Sequence, residues 1–136
     1  MRNMSKKSFL FILFLVIAAV SSMAKSKPLL EFSETNYNFG TVDESTEAVV
    51  HEYEFINTSD DAVAVLSVST ECGCTRPEYP VKPLAPGEKS TIKVTFKPAG
   101  QVGSVSKDIK VRYRGAKASS SNRITLRLKG TVNPKK

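Results

Sequence analysis

Alternation with a period of two runs through this chain and leaves little room for anything but β-structure. Residues 49–56 read Val-Val-His-Glu-Tyr-Glu-Phe-Ile, setting large apolar side chains against charged ones, and 91–96, 108–114 and 124–129 repeat the pattern. Successive side chains of a strand point to opposite faces, so this alternation marks strands with one face buried and one wet. Residues 62–69 are more evenly apolar and rich in valine, which suits a more buried strand. Residues 29–32 and 37–42 complete the set. No stretch of about ten residues shows the helical period. Turn signals separate these runs: Asn57-Thr58-Ser59-Asp60-Asp61, Pro86-Gly87, Pro98-Ala99-Gly100 and a loop over 115–122. Pro86 and Gly87 fit the two central positions of a type II turn, the second of which takes a positive φ. Short strands at this spacing predict an all-β fold, an immunoglobulin-like antiparallel β-sandwich of about seven strands. Parity nominates the core: Val49, Tyr53, Phe55, Leu66, Val68, Ile92, Val94, Phe96, Ile109, Val111, Tyr113, Ile124, Leu126 and Leu128. The opposite register is charged (Glu52, Glu54, Lys93, Lys110, Arg112, Arg127, Lys129) and reads as a solvated sheet face that discourages edge-to-edge aggregation.

The N-terminus reads as a cleavable signal peptide over 1–24. Arg2, Lys6 and Lys7 precede an apolar run from Phe9 to Val20, and Ser22-Met23-Ala24 is a small-x-small cleavage site. The run is shorter than the roughly 18–20 residues that span a bilayer, so no integral membrane segment is expected after cleavage. Residues 25–134 then form one sandwich domain, large enough to bury a core of its own. The address is exported, either periplasmic or cell surface and extracellular. Net charge is +7, but three of the basic residues leave with the signal, and Lys25, Lys27, Lys135 and Lys136 sit in tails. No basic and aromatic residues interleave on one strand, so no nucleic acid partner is expected.

Both cysteines lie in Glu71-Cys72-Gly73-Cys74-Thr75. Thiols in an oxidising compartment form a disulfide, hold a metal or stay protected by burial. A disulfide requires a bend, because residues two apart in an extended strand lie about 6.5–7 Å between Cα atoms, at the outer limit for bridging. Gly73 is the residue type that bends most freely. Such a clasp would shape its loop and stabilise the fold modestly. The metal alternative is copper, a soft ion suited to Cys72 and Cys74 with His51, the one histidine of the chain. Thiol-disulfide exchange is the third reading, without the helix N-terminus that lowers a thiol pKa. No cofactor is expected on the leading reading. Asn57-Thr58-Ser59 matches the glycosylation sequon but reads better as a polar turn, and Asp60-Asp61 as a solvated one. No catalytic constellation stands out, so the chain is expected not to be an enzyme.

Several blocks together resemble a known pattern: Phe39-Gly40-Thr41-Val42, then His51-x-Tyr53-x-Phe55-x-Asn57-Thr58, Glu71-Cys72-Gly73-Cys74-Thr75 and Pro86-Gly87-Glu88. Ile92-x-Val94-x-Phe96-x-Pro98-x-Gly100 and Leu128-x-Gly130-x-Val132 follow. They resemble the bacterial domain of unknown function 1573 family over residues 29–132. The resemblance implies an exported protein and an immunoglobulin-like fold related to the ASPM/SPD-2/Hydin and major-sperm-protein group. It implies no activity. One departure is Glu71, where the family usually has a small residue; a carboxylate there disfavours a thiolate and weakens the redox reading. The expected function is a non-enzymatic protein-interaction or scaffolding module of the cell envelope. It would meet a protein partner through an open sheet edge or end loops, above all the loop from Cys72 to Pro86. A copper-binding or thiol-redox protein is the alternative.

Overall fold

Eight strands form in the computed structural model, which describes residues 27–136. The predicted signal peptide lies outside the described residues. In chain order the strands are β1 (Leu30–Phe32), β2 (Asn36–Asp43), β3 (Val49–Asn57), β4 (Val63–Thr70), β5 (Thr75–Glu78), β6 (Lys89–Phe96), β7 (Gly103–Gly115) and β8 (Asn122–Asn133). They make two four-stranded sheets, the first ordered β1-β3-β6-β5 and the second β2-β8-β7-β4. Neighbours are antiparallel except β2 and β8, which run parallel. The immunoglobulin-like sandwich expected from the alternation is what forms.

Between the sheets, Tyr53, Phe55, Ile92, Val94, Phe96, Ile109, Val111, Tyr113, Leu126 and Leu128 are buried as their parity requires. Val68 joins them, and Val49 and Ile124 pack half-buried against this cluster. Leu66 is a correction. It was expected in the core and stands 38% exposed. The β4–β7 register shifts between Val65 and Ser67, so an extra residue bulges there and parity inverts. Val63, Val65 and Leu84 fill the core instead. The eighth strand lies inside the segment expected as a loop from Cys72 to Pro86: Thr75–Glu78 pairs with β6, although four residues that include Pro77 carry no legible alternation. Pro77 is tolerated because β5 is an edge strand, with β6 alone beside it.

Two polar groups tie the halves together. Tyr53, on β3, donates its hydroxyl to the Arg127 carbonyl on β8 at 2.8 Å. Asn57, fully buried at the end of β3, donates to the carbonyls of Asp61 (2.8 Å) and Leu84 (3.0 Å). Its side-chain oxygen accepts from the Ser59 amide and hydroxyl. The sequon asparagine is thus spent inside the fold. Beside it the Pro86-Gly87 turn closes as expected, with Gly87 at φ 79° and the Glu88 amide donating to the Ala85 carbonyl at 3.0 Å.

Burial pushes the Tyr53 hydroxyl well above its usual range near pH 10, and Tyr113 moves the same way for the same reason. A hydroxyl whose ionisation folding delays contributes stability that is intact below about pH 10. That stability is lost as pH climbs toward the folded value. Denaturant unfolding followed from pH 8 to pH 12 should therefore show stability falling only in the alkaline part of the range. Tyr53→Phe should flatten that fall, at a cost near neutrality of about 1 kcal/mol for the lost hydrogen bond.

Candidate functional site

The chain leaves the second sheet at Thr70 and enters the first at Thr75, and Glu71-Cys72-Gly73-Cys74 carries it across. This crossing is a tight turn closed by the Thr75 amide, which donates to the Cys72 carbonyl at 3.2 Å. Both ends are anchored. The Thr70 hydroxyl lies 3.1 Å from the Cys72 carbonyl and 3.0 Å from that of Thr75, and the Lys97 amide donates to the Cys74 carbonyl at 2.9 Å. Thr75 is buried, and Cys74 packs against the core.

Within the turn the Cys72 and Cys74 Sγ atoms lie at bonding distance, with their Cα atoms 5.2 Å apart. The bend comes without the special conformation expected of glycine. Gly73 is absent from the positive-φ residues, and a Cβ built on it would meet nothing within 4 Å. Gly73→Ala should therefore leave the melting temperature within a degree or two, as surface changes do. A drop of more than about 5 °C would mean that the turn needs glycine after all.

The sequence reading also proposed His51 as a companion to the cysteines, and the structure does not bring them together. His51 sits on β3 opposite Val94 of β6, while Cys74 leads into β5 on the far side of β6. Its Nε2 meets Glu34 Oε1 at 2.5 Å. Its ring stacks on Tyr37 (centroids 3.6 Å) and takes Tyr53 edge-on (4.7 Å). The Cys72, Cys74 and His51 ligand set for copper is thus not assembled. Among the described residues no three His, Cys, Asp or Glu side chains converge on one point.

Sequence reasoning missed what lies beside the turn. A cleft of about 320 Å³ opens there, with Cys72 and Thr75 on one wall and Ser106, Lys107, Asp108 and Arg127 on the other. It exists because β4 pairs β7 only from Ile109 to Gly115, so the half from Gly103 to Asp108 is paired to β8 alone. One backbone edge of six residues is left without a strand. The signal was present in the sequence, since the small alternating run Gly103-Ser104-Val105-Ser106 extends the strand before Asp108.

Charge around the cleft is paired. Arg127 Nε donates to Asp108 Oδ1 at 2.7 Å, and that hydrogen bond holds the Asp108 carboxyl below the usual carboxylate range. Lys110 donates to Glu71 at 2.9 Å, which raises its own pKa. Pro86 and Gly87 stand away from the cleft, in the turn beside Asn57, where the Gly87 amide donates to the Asn57 carbonyl at 2.8 Å. Between β5 and that turn, Val81 is 88% exposed.

A family model described as "Protein of unknown function (DUF1573)" matches residues 30–132. No curated protein matches the chain. Among solved structures, it is similar to the ASH/PapD-like domain 7 of human CEP192. The TM-score is 0.69 at 17% identity, over 87% of this chain and 98% of that one. It is also similar to WR4, a C. elegans member of the MSP family, with TM-score 0.55 and 13% identity over 78% of this chain and 99% of that one. A protein of unknown function from Porphyromonas gingivalis W83 gives 0.60 and 18%, over 74% and 46%. At these identities the likeness speaks for the fold alone.

Proposed function

The chain belongs to the DUF1573 family, and from that premise we propose that it is an exported, non-enzymatic protein-interaction or scaffolding module of the cell envelope. The observation that carries the reading is the unpartnered half of β7, Gly103 to Asp108, lying against the anchored cysteine turn. An open strand edge offers a row of main-chain donors and acceptors, and a partner's extended segment can add to it as a further strand. The cysteine turn, with Glu71 and Cys72, flanks that edge and supplies side-chain contacts. Export rests on the N-terminal sequence pattern.

Ser106→Pro tests the edge, since proline removes one main-chain donor and obstructs an added strand. A pull-down from the cell envelope with the wild-type chain, Ser106→Pro and Glu71→Arg, both lining the cleft, should lose the same partner in both variants. Melting temperatures must be recorded alongside. Retention of every partner by two folded variants would count against the proposal. A thiol-redox role is a second reading, favoured by Cys72 lining the cleft. It requires thiol exchange that vanishes in Cys72→Ser. If that variant is only less stable, by about 1.5 kcal/mol for so small a loop, the pair is a structural clasp.

A further inference from the structure

Register sorts the charges of the two outer faces unequally. On the second sheet the outward positions of β7 and β8 carry Lys110, Arg112, Arg114, Arg123, Arg127 and Lys129, against one carboxylate, Asp108. The outward positions of β4 add Ser67 and Ser69 beside Arg112 and Lys110. On the first sheet Glu31, Glu52, Glu54 and Glu78 are interleaved with Arg76, Lys89 and Lys93. With Asp43 of β2 added as a second outward carboxylate of that sheet, net positive charge is still concentrated on its outer face. Arg127 is paired with Asp108 and Lys110 with Glu71, while the other four cations have no ion pair among the described residues.

Arg112 and Arg123 are register partners, directly opposite across the β7–β8 ladder. Like charges so placed destabilise a sheet, so the fold bears a cost that an anion spanning both guanidiniums would relieve. Arginine's planar fork matches phosphate oxygens two at a time.

We propose that this outer face of the second sheet seats the protein on an anionic lipid bilayer through phosphate headgroups. The composition of the face selects the occupant. Protein interfaces centre on apolar or aromatic anchors from which charge is depleted; the outward positions of β7 and β8 provide none, and the exposed Leu66 at the β4 bulge is a single apolar side chain beside them. They offer no aromatic ring for a base to stack on either. A flat plane of basic residues interspersed with serine and threonine complements an anionic surface, where each cation within a Debye length adds its own increment. Among the described residues no helix is long and apolar enough to cross a membrane.

Flotation of the purified mature chain, residues 25–136, with vesicles tests this with defined components, so it stands or falls separately from the protein contact proposed above. The chain should bind vesicles containing phosphatidylglycerol, release as salt is raised, and ignore phosphatidylcholine vesicles. Arg112→Glu with Arg123→Glu should weaken binding roughly thirtyfold or more. Arg112→Gln with Arg123→Gln should do so less steeply, and serves if the reversed pair melts early. Lys89→Glu with Lys93→Glu changes net charge equally on the other face and should leave binding intact. Equal loss from both faces, undiminished binding by the arginine variants, or equal binding to neutral vesicles would each overturn the assignment. Tighter binding to soluble polyglutamate than to vesicles of matched charge would make the occupant an acidic protein, and would overturn it too.

Discussion

Gly130→Ala should lower stability by about 3 kcal/mol, in the range of severe overpacking, although the change adds one methyl group. Gly130 lies on β8 where the Phe39 ring of β2 is laid across it, and a Cβ there would overlap that ring. Phe39 is half-buried on the edge strand, and retreat toward the core is blocked. Its ring stacks on Phe96 of the first sheet at 5.6 Å between centroids, and Phe96 is fully buried. The clash would force β2 off the sheet edge or Phe96 out of its place. In thermal unfolding this should appear as a fall of more than about 10 °C, at roughly 4–8 °C per kcal/mol. In a Phe39→Ala background the same substitution should cost nearly nothing, since the overlapped ring is gone. Equal cost in both backgrounds would show that Gly130 is needed for another reason.

Asn57→Ala should cost a similar amount, about 3 kcal/mol, for the opposite reason. It empties a place instead of overfilling it. Asn57 is 0% exposed and holds the carbonyls of Asp61 and Leu84. Removing the amide leaves the Leu84 carbonyl with the Val63 amide alone and the Asp61 carbonyl with the Ser59 hydroxyl alone, and releases the Ser59 turn that the Asn57 oxygen holds. Asn57→Asp should be no better, because a carboxylate cannot donate to those carbonyls and would be charged in the interior. Denaturant unfolding measures both. A loss below about 1 kcal/mol in Asn57→Ala would mean that water replaces the amide, and that the turn at Pro86-Gly87 holds without it.

The two residues mark how far the sequence could be read. Alternation over 49–56, 91–96, 108–114 and 124–129 carried the sandwich and most of its core, because a half-buried sheet imposes a period of two that no other structure shares. Leu66 escaped, since one bulged residue inverts parity and leaves no mark in composition. β5 escaped because a four-residue edge strand with a proline has too few positions to show a period. The cysteine turn was placed correctly between strands, but its role in carrying the chain from one sheet to the other is a matter of topology. So is the bare half of β7, which depends on where β4 stops. His51 shows the same limit: parity set it beside Tyr53 and Phe55, yet its distance from the cysteines follows from β6 lying between. The basic face was visible as separate charged positions, and only register joined Arg112 to Arg123.

The crossing from β4 to β5, with the bare half of β7 beside it, is the surface proposed to meet another protein. Photoreactive residues placed singly at positions 71 and 106, and at 93 on the outer face of the first sheet, address that directly in living cells. Adducts with one shared envelope protein from 71 and 106, and none from 93, are the expected result. Adducts from 93 alone, or the same pattern from all three positions, would contradict it.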